Sequence, residues 1–151
     1  MVDKIIGIFV IILWLCLYTG GIVFGTQSYR QLINQESDLL LIIKSGIIIF
    51  LFYTLSNIAI LCCLASIIGG ICKGRNDFLI LATNGIFIYL LLISGLLLFG
   101  TNPFETLNQS QYIRLAGTTS LFSFLVGYNP KILSSIISKV EDLTTNHWKN
   151  Q

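Results

Sequence analysis

Long uncharged apolar runs alternate with short polar breaks along this chain. Ile5 to Thr26 carries no charge, Gln27 to Asp38 is polar, Leu39 to Cys72 is apolar apart from Lys44, and Phe78 to Phe99 is again uncharged. A helix rises about 1.5 Å per residue, so crossing a hydrocarbon core of about 30 Å takes about 20 apolar residues. The pattern predicts transmembrane helices at about 5–26, 45–69, 78–99 and 112–128. The expected fold class is therefore all-α: a polytopic membrane protein built as a four transmembrane helix bundle, with a C-terminal amphipathic interfacial helix.

The breaks between runs set the connections. The first run is longer than the roughly 7–15 residues of a signal-peptide core, so it is expected to be a retained span. Lys73 to Asp77 leaves room only for a tight turn, which makes the second and third spans an antiparallel hairpin. Residues at equal depth in that hairpin have numbers adding to about 150, pairing Ser66 with Asn84 and Asn57 with Ser94. The fourth span, with Arg114 and several hydroxyls, is the least apolar, and a re-entrant or interfacial helix is its alternative. Asn129 and Pro130 break it. Beyond them Ile132, Leu133, Ile136, Ile137, Val140 and Leu143 recur at helical spacing, which predicts an amphipathic helix over 131–143 lying on the membrane surface. Lys44, Arg114 and Trp148 are the expected interfacial anchors.

Composition narrows the picture. The 151 residues, 54% hydrophobic and 11% charged, suit a single membrane domain, with no segment left over for a soluble catalytic or sensing domain. The net charge of +2 comes with scattered Lys and Arg, so a nucleic-acid partner is excluded and the lipid bilayer is the expected surrounding. Cys16, Cys62, Cys63 and Cys72 form no CxxC and are expected as small apolar residues. With both termini inside, Lys4, Lys73, Arg75, Lys131, Lys139 and Lys149 face the cytoplasm, against Arg30, Lys44 and Arg114 outside. Cytoplasmic loops hold the excess of basic residues, so both termini are expected there. The general plan resembles small bacterial membrane proteins, which implies the inner membrane. No site residue follows from that resemblance.

Candidate chemistry is sparse. None of the proposed spans contains Asp, Glu or His, which removes the intramembrane titratable group that a proton-coupled carrier needs. His147 stands alone in the tail, no nucleophile has a base at usable spacing, and no cofactor or metal site is expected. A small enzyme using Arg30, Arg75 or Arg114 on a lipid or thiol substrate is the least favoured reading. The spans carry uncharged polar residues instead. Asn57, Ser66, Asn84 and Ser94 are the expected helix–helix polar contacts. Small residues recur at Ser56, Ala59, Cys63, Ser66 and Gly70, and again at Ala116, Ser120, Ser123 and Gly127. The second stripe is the expected outer association face, because small residues let helix backbones approach in lipid. The expected function is self-association, or association with a membrane-protein partner, in a pore-forming or membrane-perturbing role. An accessory subunit of a larger complex is the alternative.

Topology has a direct test. A cysteine placed at Glu105 should react with an impermeant reagent in intact cells, and one placed at Lys149 should react only after lysis. The reverse pattern would invert the expected orientation.

Overall fold

The computed structural model describes residues 2–24, 47–48, 50–52, 54–93 and 109–139, and every regular element among them is helical. The long helices are α1 (Val2–Phe24), α2 (Thr54–Cys72), α3 (Phe78–Ile93) and α4 (Gln109–Tyr128). A shorter helix, α5, covers residues 131–139. Lys44, Ser94, Trp148 and residues 140–143 lie outside the described residues. Among those described, α1 has the length and composition that a membrane crossing requires over Ile5–Val23, while the apolar stretches Ser56–Cys72 and Phe78–Leu91 are shorter.

The bundle is organised around α2, which packs most extensively on α4, then on α3 and α1. Ile58, Leu61 and Cys62 of α2 are fully buried. The packing is backbone against backbone at three places. A Cβ at Gly127 would fall on the backbone of Ser66, one at Gly69 on the carbonyl of Phe124, and one at Gly85 on the backbone of Cys62 and Cys63. The helix α1 is peripheral. Val10 and Leu17 face inward, whereas Ile5, Ile8, Phe9 and Ile12 are each more than half exposed.

The α2–α3 hairpin follows from its turn. Arg75 N donates to Gly70 O at 2.9 Å and Gly74 N to Ile71 O at 2.9 Å, the paired bonds that close an α-helix on a left-handed residue. Gly74 supplies that residue, with φ of 75°. Gly85 then lies against Cys62 and Gly70 against Leu81. These number pairs add to 147 and 151, close to the register expected from the turn. The rotation of α3 differs from expectation. Leu81, Gly85 and Ile88 form its buried side at spacings of four and three, and Asn84 sits beside that side, half-buried. Ser66 Oγ has no hydrogen-bond partner, so the expected Ser66–Asn84 bond does not form.

At the other end of α4 the chain bends at Asn129 and Pro130. Asn129 Oδ1 accepts from Lys131 N at 3.2 Å and starts α5. Ile132, Leu133 and Ile136 pack against the buried cluster of Ile88, Leu91 and Val126. The expected amphipathic helix thus lays much of its apolar side on the protein, and Ile137 remains 43% exposed.

Two glycines of α4 should respond oppositely to substitution. Gly127→Leu drives a side chain into the Ser66 backbone and should cost about 3 kcal/mol, at the upper end of overpacking, lowering the unfolding temperature in mild detergent. Gly117→Leu should be tolerated, because a Cβ there meets only the Tyr18 hydroxyl, at 3.9 Å. Equal destabilisation by both would contradict the close approach.

Candidate functional site

The candidate site lies along the seam where α1, α2 and α4 meet. Its upper part is built on Asn57, which is fully buried. Asn57 Nδ2 donates to Leu17 O at 3.1 Å and to Leu51 O at 2.8 Å. Tyr112 Oη donates to Asn57 Oδ1. One side chain of α2 therefore bonds the backbone of α1 and a side chain of α4. A Cβ at Gly21 would fall on the Tyr112 hydroxyl, so α1 carries a glycine where the phenol end must fit. Asn57 was expected to pair with Ser94. It turns instead to α1 and α4, and Ser94 lies outside the described residues.

Aromatic rings continue the seam. Trp14 stacks on Tyr18 with centroids 5.1 Å apart, and Tyr18 lies 6.4 Å from Tyr112. These three residues were not singled out in the sequence. Their spacing gives a partial signal, since Trp14 and Tyr18 are four apart on one helix face, but nothing in the sequence couples them to Tyr112.

Hydroxyls line the lower part. Ala116 and Ser123 are fully buried, Ser120 is 4% exposed and Gly127 is buried. The stripe expected to face outward is turned inward onto α2, because it is the side that allows the close approach of α4. Thr119 Oγ1 donates to Leu115 O at 2.8 Å, which leaves it satisfied inside its own helix. The hydroxyls of Ser66, Ser120 and Ser123 and the indole N–H of Trp14 are buried with no hydrogen-bond partner. Buried polar groups without partners are rare in folded proteins.

An open, apolar hollow of about 300 Å³ lies between three of the helices. Trp14 of α1, Ala65 and Ile68 of α2, and Gly117, Ser120 and Phe124 of α4 line it. Leu121, which is 59% exposed, also lines it.

Among the described residues the charged positions fall near helix ends. Arg114 is exposed on the second turn of α4. Lys73 stands 5.1 Å over the Tyr128 ring, tying the hairpin turn to the end of α4. No group of His, Cys, Asp and Glu able to hold a metal occurs among the described residues. The four cysteines carry free thiols, Cys62 buried and Cys63 half-buried. Among the described residues of this seam no nucleophile is brought together with a base and an oxyanion donor.

The Asn57–Tyr112 bond should be measurable by a double-mutant cycle. Tyr112→Phe leaves Asn57 Oδ1 buried without a donor and should cost about 1–2 kcal/mol in detergent unfolding. Asn57→Leu should cost a similar amount, and the double variant less than the sum by about 0.6–1.7 kcal/mol. Strict additivity would remove the bond from the account.

Comparison of the chain with protein-family models, with curated proteins and with solved structures yields no match, so the geometry itself carries the functional reading.

Proposed function

We propose that the chain is an integral membrane protein of four spans that works without catalysis, by associating inside the bilayer with copies of itself or with a membrane-protein partner. The observation that carries this reading is the distribution of polarity. Fully buried positions include Asn57, Ser66 and Ser123, while Phe9, Leu79 and Leu121 are 65%, 83% and 59% exposed. A helical bundle in water hides its apolar side chains; one in lipid gains nothing by hiding them. Length is consistent with the same reading. The 20 residues of α4 span about 30 Å, and residues 47–48 and 50–52 are already helical ahead of α2.

Association requires a surface, and α4 has already spent its small-residue stripe on α2. The outer side of α1 is the better support. Ile5, Ile8, Ile12, Leu15 and Thr19 are all exposed and follow one another at spacings of three and four. That is the spacing of a seam that interlocks with a second helix. A pore-like role belongs to such an assembly, since within one chain Gly127 and Gly69 close the contact between α2 and α4.

Native mass in lipid nanodiscs tests the reading. The wild type is expected as a multimer, or with a partner of separate mass. Ile8→Ala with Ile12→Ala should shift it toward the single chain with helicity unchanged. A wild type that is a bare single chain both in nanodiscs and in mild detergent would end the association reading.

A further inference from the structure

Among the described residues, charge gathers at the end of the bundle that carries the hairpin turn. Lys73, Arg75 and Asp77 lie in and beside that turn, and Lys131 begins α5. A Cβ at Gly7 would meet Ile71, so the start of α1, with Asp3 and Lys4, is at the same end. At the opposite end Arg114 is the one charge among the described residues. Asp3 and Lys4 offset each other, which leaves Lys73, Arg75 and Lys131 against Asp77.

Two stretches of backbone bring the three cations together. Arg75 N donates to Gly70 O at 2.9 Å, and a Cβ at neighbouring Gly69 would fall on Tyr128 N, so the turn and the end of α4 share one place. Lys73 Nζ stands 5.1 Å over the Tyr128 ring. Lys131 follows Tyr128 by three residues, and its N–H is held by Asn129 Oδ1 at 3.2 Å. Lys73 and Lys131 are both exposed. Arg75 is half-buried, with Nη1 enclosed and unbonded. A ligand cannot reach that nitrogen. An anion beside the open part of the residue would still lower the cost of the buried charge through its field.

The level of the cluster selects the anion. Lys73 directly follows the apolar stretch Ser56–Cys72, and Leu79, on the first turn of α3, is 83% exposed at the same end. On the bilayer reading, on which this inference rests, that is the depth at which lipid phosphates meet hydrocarbon. We propose that the hairpin turn and the α4–α5 corner together hold the phosphate of an anionic phospholipid, with Lys73 and Lys131 as its direct partners and Arg75 acting through its field. A zwitterionic lipid is disfavoured there, because its own ammonium would be brought against the same lysines.

Native mass spectrometry of the full chain in mild detergent, titrated with phosphatidylglycerol or with phosphatidylcholine of the same acyl chains, counts the bound lipid. Phosphatidylglycerol should bind at least about fivefold tighter, and Lys73→Gln or Lys131→Gln should each weaken it about fivefold, the effect of one basic residue near an anionic headgroup. Phosphatidylcholine binding should not change. Lys73→Arg should retain the preference, since it keeps the charge and the ring contact. Lys139→Gln should change affinity less than about twofold, because eight helical residues set it about 12 Å from Lys131, beyond the screening length of about 8 Å at physiological ionic strength. Equal affinity for the two lipids, or an equal loss from Lys139→Gln and Lys73→Gln, would overturn the site and leave a diffusely basic face. Displacement of the lipid by an equal concentration of inorganic phosphate would overturn the lipid assignment. Flotation with phosphatidylcholine vesicles after an alkaline wash reads membrane placement separately. A chain that washes off ends the bilayer reading; one that stays and shows no lipid preference ends the site alone.

Discussion

The backbones of α2 and α4 run against each other, and the rest of the bundle is arranged around that contact. Gly127 at Ser66 and Gly69 at Phe124 allow main chains to meet where any side chain would hold them apart. Contact at that range accumulates dispersion over many atoms, which is the main attraction left to helices in a medium as apolar as their own surfaces. It also fixes the rotation of α4. Once Gly127, Ser123, Ser120 and Ala116 face α2, Leu121 and Leu125 must face out.

The polar node at Asn57 depends on this rotation. With α4 set by its small residues, Tyr112 comes round to α2 near the far end of the seam, and its hydroxyl reaches Asn57. Asn57 then holds α1 through the carbonyl of Leu17. The outermost helix is thus bound by this buried hydrogen-bonded cluster, a glycine fit at Gly21 and the packing of Leu17 and Tyr18, while most of its apolar side chains point outward. The same helix lends Trp14 to the wall of the apolar hollow. The helix thus presents one side to the bundle and leaves the other free.

Much of the helical framework was legible in the sequence because its causes are local. The polar residues between Cys72 and Phe78, with Gly74 among them, mark a closing turn, and Asn129 with Pro130 mark a bend. The small-residue stripe on α4 was legible as a stripe. Its direction was not, because spacing of three and four suits a contact within one chain as well as a contact between chains. Asn84 shows the same limit: equal depth in a hairpin does not give equal rotation, and it is Gly85 that α2 requires on the facing side. Asn57 found Tyr112, 55 positions away, through the path of the whole chain, and no periodicity records that. Hollows are less legible still, since the one beside Ser120 exists because Gly117 leaves space between three helices.

The most direct test of the account is whether the apolar outside of this bundle meets lipid. Nitroxide labels at Phe9, Leu79 and Leu121, compared with labels at Leu61, Ile88 and Val126, can be read in vesicles by their collisions with oxygen and with a water-soluble nickel chelate. The account predicts high oxygen and low nickel accessibility at the first three positions, and low values of both at the second three. High nickel accessibility at Phe9, Leu79 and Leu121 would place that surface in water and contradict it.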